Sequence, residues 1–300
     1  MPIRIGTGEH GGTFYTQGLA LKSVLERAPR MPAIEIVESP LGVSIENAIR
    51  LDAGEVDFAF IAAPWLAAAR KGQPPFDRPI DLRAAAPMNL GPNFFVARAD
   101  SGLRKVSDLR GRKVAVGLQN GGMAPHAEAV FAALGIGDGD LERVYVDFAG
   151  GADMLAAGEV DAQFQCPIPN RVMTELSERV RLRVLSYDPA ELDAALKSIP
   201  HDRRITMRKG SFRGVDEDVP QLGVLNLLVT HARADADMVR NVVRAIVSAG
   251  AELGRLDPLF TGLGELLATL KSRNRAALEF DCNGVELHVG AVRAFTETGR

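Results

Sequence analysis

The stretch "LDAGEVDFAF" at residues 51–60 decides the fold, because it returns as "LAAGEVDAQF" at residues 155–164. The two copies share Leu-x-Ala-Gly-Glu-Val-Asp-x-x-Phe and lie 104 positions apart. In each copy a glycine that can end a helix precedes an acidic turn and a short apolar run typical of a buried strand. A generic helix-to-strand connection is the alternative, but the repeat favours two similar α/β units in succession.

A strand and a double-glycine loop precede each copy, which strengthens the case for duplication. Gly11-Gly12 follows "IRIGTG", and Gly121-Gly122 follows "KVAVGLQN". Short runs rich in Val, Ile and Phe alternate with longer amphipathic stretches along the chain. This alternation predicts an α/β fold with mostly parallel sheets flanked by helices.

Two segments rich in glycine, proline and charge mark where the chain passes between the units. We interpret residues 87–102 as a crossing out of the first unit and residues 203–223 as the return. The predicted first lobe is therefore discontinuous, with residues 1–90 and 215–300. Residues 91–214 form the predicted inserted lobe, joined to the first by two crossings.

Composition excludes several classes of protein. The chain has 300 residues, a net charge of −3 and a pI near 6.0, so no basic excess argues for nucleic acid or an anionic membrane surface. No apolar run approaches the roughly 18 residues of a membrane span, and we expect no direct membrane insertion. The histidines show no metal-ligand spacing, so no metal is predicted. His126, at the start of a helix, is expected to face solvent.

Cellular location stays open between two alternatives. Met1 leads directly into a strand, without a charged segment and apolar stretch of the signal-peptide type. We expect a periplasmic protein if a leader has been removed, and a cytoplasmic one if Met1 is the native start. Cys166 and Cys282 show no Cys-x-x-Cys spacing and are expected to be free thiols.

The first glycine loop has two interpretations. Gly6, Gly8 and Gly11 match the Gly-x-Gly-x-x-Gly of dinucleotide-binding domains, with Glu38 as the partner of a ribose hydroxyl. Glu38 lies 27 residues beyond Gly11, more than the usual ~20, and the second glycine loop has no role with one cofactor. In the preferred interpretation two helix N-termini hold one polar or anionic ligand in a cleft between the lobes, with no cofactor.

Five phrases occur in an order that resembles a known family: "IGTGEHGGTFYTQG", "SIENAIRLDAGEVDFAFI", "ARADSGLRKVSDLRGRKVAVG", "AAGEVDAQFQCPIPN" and "DEDVPQLGVLNLLVT". From about Arg4 to Gly299 the chain resembles the TAXI family, the solute receptors of tripartite ATP-independent periplasmic (TRAP) transporters. The resemblance implies a two-lobed type II periplasmic-binding fold that closes by hinge bending. It also implies capture of a small carboxylate or amino acid, TRAP membrane subunits as partners, and no catalysis.

The predicted ligand-binding residues follow from the glycine loops and from the strand ends beside them. They are Thr7, His10, Gly12, Thr13, Phe14, Ser44 and Trp65 in the first lobe, and Gln119, Gly121, Gly122, Met123, Gln165 and Cys166 in the second. For Ser44 a role as helix cap is the simpler expectation. Trp65 could stack on a ligand or cover its own helix. Arg98 and the arginines near residues 203–213 are further candidate partners of an anion.

Two other functions remain as alternatives. The same scaffold could serve as a cytoplasmic ligand sensor, or as an enzyme in which Cys166 is a nucleophile activated by His10 or His126. A nicotinamide-dependent oxidoreductase is the third hypothesis, and it depends on the dinucleotide interpretation of the first glycine loop.

Overall fold

The structure is a computed structural model that describes residues 1–39, 43–119, 121–165, 167–199, 201–272 and 286–296. The chain divides into two compact units. The first comprises Met1–Asn89 with Leu225–Arg300, and the second comprises Leu90–Val224. No helix in the described ranges is long and apolar enough to cross a bilayer.

The first unit begins with three parallel strands and the helices that connect them. Its elements are β1 (Ile3–Gly6), α1 (Thr13–Leu25), β2 (Ile34–Val37), α2 (Ser44–Ala53), β3 (Phe58–Ala62) and α3 (Ala63–Lys71). β1 lies between β2 and β3 and is parallel to both. The long strand β4 (Leu82–Arg98) then contributes residues to both units.

The second unit repeats this arrangement and extends it. Its elements are β5 (Lys113–Ala115), α4 (Met123–Ala133), β6 (Glu142–Val144), α5 (Phe148–Ala157), β7 (Ala162–Gln165), α6 (Arg171–Arg179), β8 (Leu182–Val184), α7 (Pro189–Ser198) and β9 (Asp202–Met207). β5 lies between β6 and β7 and is parallel to both. β7 and β8 each pair with β4 in antiparallel register.

The C-terminal part of the chain returns to the first unit through β10 (Val219–His231). β10 pairs antiparallel with β9 in the second unit and, further along, with β3 in the first. The helices α8 (Ala236–Ser248), α9 (Gly250–Leu256), α10 (Leu263–Ser272) and α11 (Val289–Thr296) follow. α8 is capped by Asp235, whose carboxylate accepts from the N–H of Met238 at 2.7 Å.

The duplicated sequence adopts the same local structure in both units. α2 ends at Gly54 and α5 ends at Gly158, both in the left-handed conformation with φ of 73° and 78°. The repeat aspartate then bonds to the first parallel strand of its unit: Asp57 to the backbone N–H of Arg4, and Asp161 to that of Lys113. Both bonds are 2.8 Å long. The strand order 2-1-3 followed by an antiparallel neighbour is therefore shared, as the repeat predicts.

Each unit has its own apolar core. In the first unit the sheet packs on α1 and α8 through residues such as Ile5, Leu21 and Val243. In the second, one cluster around Phe95 and Phe131 covers one side of the sheet. A further cluster around Phe94, Leu155 and Met173 covers another part of the same unit.

Two segments that we interpreted as crossings between the units consist largely of strands. Residues 87–102 lie largely within β4, and residues 203–223 contain most of β9 and the start of β10. β4 is buried along nearly its whole length, with only Leu90 exposed among residues 84–97. Pro87, Gly91 and Pro92 lie within β4, which their turn-like composition concealed.

Candidate functional site

The carboxyl ends of parallel strands meet at one edge of a sheet, where ligands of open α/β folds bind. In the first unit this edge carries the loops that follow β1, β2 and β3. In the second it carries the loops that follow β5, β6 and β7. The predicted site residues lie on or beside these two edges.

Asn47 organises the edge of the first unit. Its amide nitrogen donates to the carbonyl oxygens of Thr7 and Phe60, both at 2.9 Å, and its oxygen accepts from the hydroxyl of Ser39 at 2.7 Å. One buried side chain thus joins the residue after β1 and the middle of β3 to Ser39, two residues beyond β2. A Cβ on Gly6 would lie 2.7 Å from the Asn47 oxygen, so the first glycine of the loop makes room for this amide.

The first glycine loop leads into α1 without a side-chain cap. Gly12 is the N-cap residue, in an extended conformation that a side chain could also adopt. Its N–H donates to the carbonyl of Glu9 at 2.9 Å, which tightens the loop. Thr13 is the first helical residue. The first turn of α1 therefore faces the edge with backbone N–H groups that no N-cap side chain occupies.

Two predicted residues of this loop are part of the interior. Thr7 is fully buried, and its hydroxyl donates to the carbonyl of Val37 at 3.2 Å. Phe14 is also buried and stacks on Phe60, with ring centroids 5.4 Å apart. In the structure their side chains stabilise the edge, because each one packs within the first unit.

His10 lies at the exposed tip of the loop, with 76% of its side chain accessible. Its Nδ1 is 3.3 Å from a carboxylate oxygen of Glu38, and its ring lies 4.5 Å from that of Tyr15. Glu38, the residue required for ribose in the dinucleotide interpretation, is thus paired with this histidine.

Ser44 and Trp65 occupy the starts of the next two helices. The capping role expected for Ser44 is wrong: Val43 is the N-cap, and the Ser44 hydroxyl accepts from the N–H of Ala62 at 3.1 Å. This bond ties α2 to the end of β3. Trp65, in the first turn of α3, is half-buried and packs against the core of the first unit.

The edge of the second unit has the same uncapped helix start. Gly122 is the N-cap residue of α4, and no side chain caps this helix. The N–H of Gly121 donates to the carbonyl of Leu118 at 2.9 Å. Gly117 has a φ of +98°, and a Cβ there would lie 3.0 Å from that of Met123. This position needs glycine on both counts. Gln119 is exposed at the tip of the loop.

Gln165 is the last residue of β7 and is fully buried. Neither its amide nitrogen nor its amide oxygen has a hydrogen-bond partner among the described residues. A buried amide in this state needs a partner to offset its desolvation. Cys166, which follows it, lies outside the described residues.

The prediction that His126 faces solvent is wrong, because only 8% of its side chain is exposed. Its Nε2 lies 2.9 Å from a carboxylate oxygen of Asp202, and its Nδ1 lies 3.2 Å from the amide nitrogen of Asn93. Neither partner was singled out from the sequence. The available signal was weak: Asn93 is one amide in an apolar run, and Asp202 opens a strand rich in arginine.

Three of the arginines proposed as anion partners, Arg98, Arg204 and Arg208, are paired with carboxylates. Arg98 donates to Asp100 at 2.9 Å, and this hydrogen bond raises the pKa of the Arg98 guanidinium. Because its neighbour Ala97 pairs with the first residue of β7, Arg98 lies at the opposite edge from the glycine loop. Arg208 bonds to Asp218 at 2.6 Å. Among the described residues, no group of three or more metal-binding side chains forms a metal site.

One protein-family model matches nearly the whole chain. The model described as the NMT1-like family matches residues 5–299.

Solved structures with the same fold are distant in sequence. XAC2383 from Xanthomonas citri bound to ATP is 14% identical, covers 98% of this chain and 99% of its own, and has a TM-score of 0.55. A TctC solute binding protein from Polaromonas is 18% identical, covers 88% of each chain and has a TM-score of 0.52. The alkanesulfonate-binding protein SsuA from Xanthomonas axonopodis pv. citri, bound to MOPS, is 17% identical, covers 88% of this chain and 79% of its own, and has a TM-score of 0.50. At these identities the likeness establishes the fold alone, and it confirms the predicted α/β fold of the periplasmic-binding-protein type.

Proposed function

Because this chain belongs to the NMT1-like family, we propose that it is a solute-binding receptor for a small polar or carboxylate-bearing molecule. The receptor holds its solute and carries out no chemical step on it. The observation that carries the proposal is the repeated edge. In both units a glycine-capped helix starts at the carboxyl edge of parallel strands, and no N-cap side chain occupies its first N–H groups.

Several features favour an anionic group on the solute. Free N–H groups at a helix N-terminus attract a carboxylate or sulfonate without any lysine or arginine. The related structures named above hold MOPS in one case and ATP in another, and both molecules are anions. The buried amide of Gln165 offers a hydrogen bond of either polarity to the body of the solute.

The transport role is the finer part of the proposal. The sequence resembles the TAXI family, and on that ground we propose TRAP-type membrane subunits as partners and the periplasm as the place of action. Capture of one solute by both units, with hinge closure, stays a prediction.

A thermal-shift screen of the purified chain tests the proposal. A ligand that binds only the folded state at about 100 times its Kd adds about 2.7 kcal/mol of stability. The panel holds mono- and dicarboxylates, sulfonates, amino acids and NAD(P). We expect a rise in Tm with at least one small anion and none with NAD(P). A rise with NAD(P) alone would support the oxidoreductase alternative, and the receptor proposal would then be wrong.

Variants then locate the binding edges. Gly12→Asp places a carboxylate at the start of α1, where aspartate is a favoured N-cap, and should repel an anionic solute. Its Cβ would lie 3.1 Å from the carbonyl oxygen of Glu9, so a urea unfolding curve accompanies the binding measurement. Gln165→Leu removes the unpartnered amide of the second unit. Each variant should weaken binding of the solute found in the screen at least tenfold. Gly139→Asp adds the same charge in an exposed loop with open space around it and is the matched control.

A further inference from the structure

A chain of three buried polar side chains runs through the second unit. Asp202 on β9 bonds to His126 on α4, and His126 bonds to Asn93 on β4. Asn93 is 2% exposed, and the carboxylate of Asp202 is fully buried. None of the three belongs to the predicted site.

The groups that face one another set the direction of the hydrogen bonds between these three side chains. A carboxylate only accepts, so Nε2 of His126 donates to Asp202. The NH₂ of Asn93 faces Nδ1 at 3.2 Å, and because an NH₂ group only donates, Nδ1 accepts. The amide oxygen of Asn93 is turned away from the histidine by this sequence of bonds.

That oxygen is the end of the hydrogen-bonded series that starts at Asp202. Oδ1 of Asn93 is buried and has no hydrogen-bond partner among the described residues. Buried acceptors in folded proteins are nearly always paired, and an unpaired one in a well-packed unit indicates a missing donor. The donor can come from a water molecule or from a ligand.

The free end lies at the candidate edge of the second unit. The next residue, Phe94, pairs with Gln165, the last residue of β7. His126 lies in the first turn of α4, which starts at Met123 directly after the second glycine loop. Asn93 and Gln165 thus place two buried amides with unpartnered atoms at the same end of the sheet, on its opposite faces.

We propose that Asn93 determines the specificity of this edge: its oxygen accepts a hydrogen bond from an amino group of the solute, and His126 and Asp202 are positioning residues. The inference rests on the proposed receptor function and names the class of solute, an anion that also carries an amino group. An ammonium donor is favoured because the hydrogen-bonded chain ends on a buried carboxylate, which polarises the acceptor at its other end.

The test compares solutes that differ only in the amino group. The probe pairs are L-alanine and propionate, L-glutamate and glutarate, and taurine and ethanesulfonate, each measured by calorimetry. We expect the wild type to bind the amino member of at least one pair tenfold or more tightly. Asn93→Leu, which keeps the branched shape and loses the acceptor, should reduce this preference to less than threefold.

Two further variants complete the design. Gln221→Leu removes another buried amide of the second unit, one that donates to the carbonyl of Leu185 at 2.9 Å, and should leave the preference unchanged. His126→Phe should lower the preference even though it touches no solute, an effect that loss of stability alone does not produce. If Asn93→Leu does not fold, Asn93→Ala removes the same acceptor.

Each outcome decides between the two proposals. Equal binding of both members of every pair by the wild type, or a preference that survives in Asn93→Leu or Asn93→Ala, overturns the role of Asn93 and leaves the receptor function standing. Binding of no probe and no panel solute by the wild type overturns the receptor function, and this inference falls with it.

Discussion

Nε2 of His126 lies 2.9 Å from Oδ2 of Asp202, although the two residues are 76 positions apart in the chain. Oδ1 of Asp202 is buried and has no partner among the described residues. Among the described residues, the imidazole of His126 is the side chain that donates to the buried carboxylate of Asp202. A buried charge without such a donor is strongly destabilising.

His126→Phe should accordingly cost about 3 kcal/mol of unfolding free energy, because it leaves the Asp202 carboxylate buried and unpaired. The measurement is urea unfolding followed by circular dichroism. Adding Asp202→Leu to this variant should restore much of the loss, since an apolar pair replaces an orphaned charge. His10→Phe changes an exposed histidine and should cost less than about 0.5 kcal/mol. A double variant no more stable than His126→Phe would contradict the account.

Asn47 should be the most sensitive amide of the first unit. Asn47→Leu removes three hydrogen bonds that join the strand ends and should cost about 3 kcal/mol. Asn47→Asp should cost more at neutral pH, because a carboxylate oxygen would face the carbonyls of Thr7 and Phe60. The urea concentrations at the unfolding midpoints, measured at pH 7, rank the stabilities of the wild type and the two variants.

Ser39→Ala provides a graded control for Asn47. It removes the hydroxyl that donates to the Asn47 oxygen at 2.7 Å and accepts from the Arg50 guanidinium at 3.2 Å, and it should cost about 1 kcal/mol. Equal losses in Ser39→Ala and Asn47→Leu would mean that the bonds to Thr7 and Phe60 contribute nothing measurable.

The repeat aspartates should behave alike. Asp57 and Asp161 each accept from a backbone N–H at 2.8 Å, and each also donates its own N–H to the carbonyl of the same strand residue. Asp57→Ala and Asp161→Ala should each cost about 1–2 kcal/mol. The amide variants Asp57→Asn and Asp161→Asn should cost less, since their side-chain oxygen still accepts. Hydrogen exchange of the Arg4 and Lys113 amides reports each bond separately, and unequal protection losses would show that the two copies have diverged.

The sequence predicted those elements whose cause is local. A glycine after an amphipathic run favours a helix end because it adopts the left-handed conformation easily, so the ends of α2 and α5 were predictable from Gly54 and Gly158. The duplication was detectable because both copies keep the residues that form this local helix end and the turn after it. β4 was missed because its proline, asparagine and glycine are typical of turns, while its pairing with β7 is a property of the folded sheet.

The candidate site was predictable in its loops and not in its buried polar groups. Gly12 and Gly121 stand out in the sequence because each belongs to a double glycine that follows a predicted strand and precedes a predicted helix. His126, Asn93 and Asp202 do not, because each bond joins residues 33 or 76 positions apart. Thr7 and Phe14 show the reverse: they lie in the expected loop, but tertiary packing turns their side chains inward.

His288 should make the first unit less stable in mild acid. Burial lowers the pKa of this imidazole below its usual 6.5, with further lowering by the charges of Arg83 and Arg293. Its Nδ1 accepts from the N–H of Gly290 at 3.1 Å, a bond that requires a neutral nitrogen. The unfolded chain therefore binds the proton more readily than the folded one. By linkage, the stability contribution is present above about pH 6.5 and falls as pH drops below it toward the folded-state pKa.

His288→Asn tests whether protonation of His288 lowers the stability of the folded chain as the pH falls. The asparagine oxygen can accept from the Gly290 N–H but does not titrate, so the dependence of stability on pH below 6.5 should become shallower than in the wild type. Urea midpoints at half-unit steps from pH 8 to pH 5 give both curves. Burial and Arg233 also lower the pKa of His231, so part of the acid sensitivity should persist in His288→Asn and disappear when His231→Gln is added. Parallel curves for the wild type and His288→Asn would show that His288 takes up its proton equally in both states, and the burial argument would then fail.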